Sequence, residues 1–278
     1  MINGYDIMDK QTLDQLSKQI RAEVIETAHK TETIHVGGCL SCVDILIALY
    51  FGCMSVRPEE PNWPDRDRFI LSKGHAALAF YTVLAHRGFY PLEQVFTFNK
   101  DKSLFTEHPV WKNIPGVEAT SGSLGHGLGI GSGMALAAKI SKNPYRTFVL
   151  MSDGECEEGS IWEAVLFAPA NHLGNLVAII DYNQWQACGR SNEIMNLSPL
   201  KEKFSAFGWA AYEVDGHDIG AMIVLLQSIR SSTDRPVAII AHTIKGKGVS
   251  FMEDDNNWHY RVPSADDVQK ARQELGFQ

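Results

Sequence analysis

Asp153-Gly154 and Asn183 are the residues from which a reaction site is most readily built. Each follows directly on a short apolar run, TFVLM at 147–151 and LVAII at 176–180. The roughly thirty positions between them hold one strand-loop-helix unit, so the two side chains can sit at the ends of adjacent strands, roughly 5 Å apart. A carboxylate, a side-chain amide oxygen and a nearby backbone carbonyl form a hard, all-oxygen set. Two phosphate oxygens and a water would complete the octahedron that magnesium requires. Gly154 lets the backbone come close to a phosphate, and a helix N-terminus behind it favours the anion. Asp153 could equally be a helix cap and Asn183 a turn residue; spacing alone leaves both readings open.

The elements that must position these residues alternate. RFIL (68–71), TFVLM, LVAII, WAAYEV (209–214) and VAIIA (237–241) are short, non-alternating apolar runs separated by helical segments. That pattern predicts a doubly wound, mostly parallel α/β sheet buried on both faces. The loops after the runs are polar: Ser72-Lys73-Gly74-His75, Ser152-Asp153-Gly154, Asp181-Tyr182-Asn183, Asp215-Gly216-His217 and His242-Thr243-Ile244-Lys245-Gly246. Ligands of open parallel sheets bind beyond the carboxyl ends of the strands, so these loops are expected to converge on a small-molecule site. Leu13, Leu16, Ile20 and Val24 fall at helical spacing, and Ser41, with Asp44 three residues on, is expected to cap a second helix reaching about Phe51. Helices are further expected up to Gly88, through about Asn171 and to about Arg230, with an amphipathic tail after Val262. Without an internal repeat or a Pro/Ser-rich linker, residues 1–278 read as a single domain.

Composition narrows the classes. The 278 residues are 45% hydrophobic and 21% charged, which suits a folded domain with a large core. The formal charge is 25 − 33 = −8, with no long basic stretch, so no nucleic-acid partner is expected. Ile45–Met54 falls well short of the roughly 18 apolar residues of a membrane span. MINGYDIMDK has neither a basic start nor an apolar signal core, which makes a cytoplasmic location the expectation. Cys39, Cys42, Cys53, Cys156 and Cys188 form an odd set, expected to be reduced thiols. The CxxC of Cys39 and Cys42 has no second pair at zinc spacing. Gly125, Gly127, Gly129, Gly131 and Gly133 nowhere give GxGxxG, so no dinucleotide fingerprint is present.

The segment SDGECEEGSIWEAVLFAPANHLGNLVAIIDYNQ closely resembles the thiamine-diphosphate fingerprint, which opens with GDG and closes with Asn about thirty residues later; Ser152 stands in place of the first Gly. RDRFILSKGHAALAFYTVLAHRGFY, GVEATSGSLGHGLGIGSGMALAAK, VDGHD and HTIKGKGVSFMEDDNNWH resemble transketolase, in that family's order, over about residues 10–262. The resemblance implies a thiamine-diphosphate-binding fold with thiamine diphosphate and magnesium (calcium or manganese substituting) as cofactors. It makes Asp153, Asn183 and the carbonyl of Trp185 the metal ligands, with the Gly154 amide on the diphosphate. His75 of SKGH, Gly125 and His126 of SLGHGLGIG, Glu158 and Lys245 of the KGKG loop fall on cofactor-binding positions. His126 stands where many relatives have Gln, and Glu158 and Glu163 also match acidic residues of the family's subunit interface. His217 of DGHD matches a histidine near the cofactor and the reacting oxygens. His35 (TIHVGG, with Val36 replacing the family's proline), His108 (EHP) and His259 (with Tyr260 replacing Gly) match substrate-facing histidines.

Only the first of the family's three domains is matched, like the N-terminal subunit of split transketolases. The implied partner is a C-terminal, pyrimidine-binding subunit in an α2β2 assembly acting on sugars or sugar phosphates. The implied activity is transfer of a two-carbon ketol unit from a ketose to an aldose. Rival readings are a non-catalytic regulatory or assembly subunit, or another thiamine-dependent subunit such as a 2-oxo acid dehydrogenase α-like chain. The SKGH, SGSLGHG and KGKG loops, and the retained Asp153, Gly154 and Asn183, favour transketolase.

Overall fold

In the computed structural model, which describes residues 8–112, 114–229 and 234–278, the five apolar runs become β1 (Arg68–Leu71), β2 (Thr147–Ser152), β3 (Leu176–Tyr182), β4 (Ala210–Asp215) and β5 (Val237–His242). They form one sheet in the order β1-β2-β3-β5-β4, and every neighbouring pair is parallel. The helices are α1 (Lys10–Thr31), α2 (Val36–Gly52), α3 (Ala77–Arg87), the short α4 (Leu92–Val95), α5 (Gly127–Ser141), α6 (Gly159–Ala170), the short α7 (Ser191–Ile194), α8 (Leu200–Ala206), α9 (Ile219–Ser228) and α10 (Ala265–Leu275).

Successive strand side chains point to opposite faces, and two cores result. Phe69, Leu71, Phe148, Leu150, Val177, Ile179 and Ile239 share one with residues of α1, α2, α3, α9 and α10. Ile70, Val149, Met151, Ala178, Ile180 and Ile240 share the other with residues of α5, α6 and α8. The strands thus read as unbroken apolar runs because both faces are covered, as expected of a doubly wound sheet.

Three boundaries differ from the sequence expectation. WAAYEV is not buried on both faces: Trp209 is buried before the strand begins, while β4 is an edge strand with Tyr212 exposed. α2 starts at Val36, five residues before Ser41, so Ser41 is not its cap. Ser41 and Asp44 are taken by tertiary hydrogen bonds to Asp181 and from Arg21, contacts that no local pattern announces. α9 ends at Ser228; Arg230, the expected end, lies outside the described residues, as do positions 1–7 of the N-terminal stretch read for targeting. α3 does stop against Gly88, whose φ of 98° suits a helix terminator. The tail forms α10, opened by a capping box of Ser264 and Asp267.

Among the described residues no helix is long and apolar enough to cross a membrane. Burial pushes the Cys39 thiol up to about 11 and that of Cys42 to about 12, so this CxxC is held as inert thiol on α2.

Candidate active site

The loops after β1, β2, β3 and β5 meet the N-terminus of α2 around a cleft of about 520 Å³. Its wall carries His35, His75, His108 and His259, contributed by four distant segments. The His35 ring lies 4.9 Å from that of His259, 5.5 Å from His75 and 6.4 Å from His108, and His75 lies 5.7 Å from His259. His35 takes left-handed backbone (φ 68°) immediately before α2, and its amide donates to the His259 carbonyl at 2.9 Å. That turn ties the start of α2 to the last loop. Gly122, at φ 130°, lets the chain pass against His108, where a Cβ would lie 2.9 Å from the ring.

Burial lowers the pKa of His35, with Glu107, 3.2 Å from Nδ1, opposing it. Burial, with Lys73 close by, carries His75 well below the usual histidine value. His259 is pushed down to about 3 by burial and by the Lys245 ammonium. These three rings are therefore neutral near pH 7, able to donate from one nitrogen and accept at the other.

Lys245 is 2% exposed and sits on the cleft. Its ammonium donates to Asn256 Oδ1 at 2.7 Å and to His259 Nδ1 at 3.1 Å, both uncharged acceptors. Burial, with the like charge of Lys73, pulls its pKa down to about 8. The donation into Nδ1 leaves the His259 proton on Nε2. Beneath the cleft lies a second lysine. Lys73 donates to Asp181 and, at 2.9 Å, to the Gly38 carbonyl; Asp181 also accepts from Ser41 and Thr243.

Ser152 at the end of β2 pairs with Asp181 of β3, which places Asp153 and Asn183 just beyond neighbouring strand ends. The Asp153 carboxylate is buried, and among the described residues it accepts from the Gly154 amide (2.9 Å) and Ser191 Oγ (2.9 Å). With no described cation paired to it, burial raises its pKa to about 6. Asn183 Oδ1 accepts from the Trp185 amide at 3.0 Å. Among the described residues, a buried carboxylate with no cation at ion-pair distance thus lies just beneath the cleft, and a buried ammonium with no carboxylate at that distance sits on its wall. That donor set fits a divalent metal bridged to a diphosphate.

Of the sequence-predicted site residues, His35, His75, His108, Gly154, Glu158, Asn183, Trp185, Lys245 and His259 line the cleft, with Asp153 just beneath. Three do not. His217 spends both ring nitrogens inside the fold: Nδ1 lies 2.8 Å from Asp44 Oδ2, and Nε2 accepts the Ile244 amide at 2.8 Å. It has no nitrogen left for a reacting oxygen. Gly125 donates its amide to Glu155 and accepts from Ser160 through its carbonyl, so its backbone faces the fold and not a cofactor. His126 is exposed in a separate groove with Ile130, Gly133, Glu163 and Phe167. The Gly154 amide is likewise turned onto Asp153. Sequence reasoning passed over Lys73, in the loop after β1, over Asp181, near the end of β3, and over Glu107, one residue before His108. Polar residues directly after apolar strands were the available signal.

The family model described as "Transketolase, thiamine diphosphate binding domain" matches residues 12–278. The chain is 42% identical over 268 residues to one of the subunits of the "Apulose-4-phosphate transketolase" of Phocaeicola vulgatus, covering 96% of this chain and 95% of that one. It is 39% identical over 248 residues to the "6-deoxy-6-sulfo-D-fructose transketolase subunit SqwG" of a Clostridium species, covering 88% of this chain and 90% of that one. The solved transketolase of Campylobacter jejuni superposes with a TM-score of 0.90 at 28% identity, over 98% of this chain and 44% of that one. The chain therefore spans less than half of that solved relative.

Proposed function

From the premise that the chain belongs to the transketolase family, as its thiamine-diphosphate-binding domain, we propose that it is the N-terminal subunit of a split transketolase. In this reading it moves a two-carbon ketol unit from a ketose or its phosphate to an aldose or its phosphate. A second chain, carrying the pyrimidine-binding half, completes the site in an α2β2 assembly. The reading is supported by the near-complete coverage of relatives that are themselves named as transketolase subunits, against 44% of the longer chain of the solved Campylobacter jejuni transketolase. A cytoplasmic setting belongs to it too, in keeping with five free cysteines.

The observation that carries it is the charge of the cleft: among the described residues neither Asp153 nor Lys245 has an oppositely charged group at ion-pair distance. Asp153, Asn183 and the Trp185 carbonyl would hold magnesium, with Lys245 and His75 on the diphosphate side. When bound, thiamine diphosphate supplies the nucleophilic carbon and electron sink for breaking and remaking the carbon–carbon bond. The chain's own part is to orient and exchange protons. His259, with its proton on Nε2, can donate to sugar oxygens that gain charge, while the neutral His35, its proton drawn to Nδ1 by the Glu107 carboxylate, offers Nε2 as an acceptor, and His108 extends this wall. Removing one such donor is expected to slow turnover by roughly a hundredfold.

The test is calorimetric titration of magnesium and thiamine diphosphate into the chain alone and mixed with a candidate C-terminal half, with Asp153→Asn as control. Magnesium-dependent binding that needs Asp153 supports the reading. A folded mixture that binds nothing overturns it.

A further inference from the structure

We propose that His217 is a positioning residue: it clamps the loop 243–248, and with it Lys245, instead of touching substrate. Because the Ile244 amide must donate, the His217 Nε2 it meets at 2.8 Å is unprotonated. The ring proton therefore sits on Nδ1 and is donated to Asp44 Oδ2 at 2.8 Å. Asp44 is fixed from its other side by Ser17 Oγ (2.5 Å) and by Arg21 Nη1 (3.0 Å) and Nη2 (2.7 Å). Arg21 also reaches the loop directly, donating from Nε to the Lys247 carbonyl at 2.8 Å.

One buried carboxylate–guanidinium pair thus grips the loop at two points, one on each side of Lys245. It holds the Ile244 amide through His217 and the Lys247 carbonyl through Arg21. A third tie, from the Gly246 amide to the Gly37 carbonyl (3.0 Å), presses the loop onto the first turn of α2. Gly246 has φ 78°, and a Cβ there would lie 2.1 Å from the Met252 carbonyl oxygen, so the backbone has little freedom to drift. The arrangement is that of an outer partner fixing the tautomer and orientation of a histidine, here turned to holding a backbone amide. What it fixes is the direction of the Lys245 ammonium, and its bearing on catalysis rests on Lys245 holding the diphosphate, as proposed above.

Two substitutions separate the ring's two jobs. Asn places an amide where Nδ1 lies and keeps the donor to Asp44; Gln places an oxygen where Nε2 lies and keeps the acceptor for Ile244. Amide hydrogen exchange of the cofactor-free chain is the first readout, with Ile179 of β3 reporting that the fold is intact. His217→Asn is expected to speed exchange at Ile244 on the order of tenfold, while His217→Gln keeps it near the parent. The second readout is affinity for magnesium and thiamine diphosphate in the complex with the second subunit, expected to fall about tenfold in His217→Asn and to recover in His217→Gln. Unchanged protection at Ile244 in the Asn variant, or equal loss in both, overturns the clamp. Selective loss of protection with unchanged cofactor affinity overturns the link from this loop to the cofactor. Failure of the parent complex to bind cofactor refutes the proposed function instead, and leaves the exchange result to decide His217.

Discussion

Two lysines, Lys73 under the cleft and Lys245 on its wall, are almost equally buried, at 1% and 2% exposed, yet they stand in opposite electrostatic states. Lys73 meets a carboxylate, and despite burial that attraction from Asp181 raises its pKa. Lys245 meets an amide oxygen and an imidazole, and burial lowers its pKa to about 8. The carboxylates divide the same way. Asp181 is held low by Lys73 against the pull of burial, whereas burial drives Asp153 up to about 6. A buried charge with its partner beside it is a structural joint. A buried charge left among neutral groups is half of an interaction whose other half arrives from outside.

The comparison is open to breaking at each of its members. The largest effect is expected from Asp181→Asn, which strands the Lys73 ammonium: a loss of about 3–5 kcal/mol in chemical denaturation, with or without cofactor. A loss well under about 1 kcal/mol would remove the structural role. Asp153→Asn is expected to leave the fold standing and to weaken magnesium-dependent cofactor binding by a hundredfold or more, about 2.7 kcal/mol, in calorimetric titration.

A pH series sharpens the same contrast. The folded carboxyl of Asp153 titrates at about 6, above its unfolded value, so the cofactor-free fold binds the extra proton between the two. Its contribution is full at low pH and is lost as pH rises toward 6, on the order of 2 kcal/mol, and Asp153→Asn is expected to erase that slope. Saturating magnesium and cofactor are expected to flatten it as well. The smallest effect belongs to Glu107→Gln. It removes the charge that supports protonation of His35, at a cost of about 0.5 kcal/mol or less, and imidazole NMR titration is expected to find His35 lower still. An unchanged value would mean that the Glu107 contact is not made.

The strands were legible in the sequence almost to the residue, because burial on both faces writes itself as an unbroken apolar run. β4 broke that rule as an edge strand, and the start of α2 was missed because Ser41 looked like a cap while its hydroxyl is used 140 positions away on Asp181. The site was legible as residue types. Asp153, Asn183, Lys245 and four histidines were named, and the cleft draws them together. Their partners were not legible, since Arg21, Asp44, His217 and Ile244 meet only through the fold. That is why His217 read as a histidine near the cofactor and the reacting oxygens, although both of its nitrogens are engaged elsewhere. Gly125 and His126 fell to the same limit: a motif carries the residue and leaves its direction open.

The same substitution at the two lysines is the most direct measurement. In urea unfolding of the cofactor-free chain at pH 7, Lys73→Met is expected to destabilise by about 3 kcal/mol, because Asp181 is left buried without its cation. Lys245→Met, which removes a buried charge that has no carboxylate at ion-pair distance among the described residues, is expected to stabilise by about 1 kcal/mol while abolishing cofactor binding in the complex. Opposite signs bear out a cleft built with its charges unmet. Equal destabilisation by both would contradict it, and would make Lys245 one more joint of the fold.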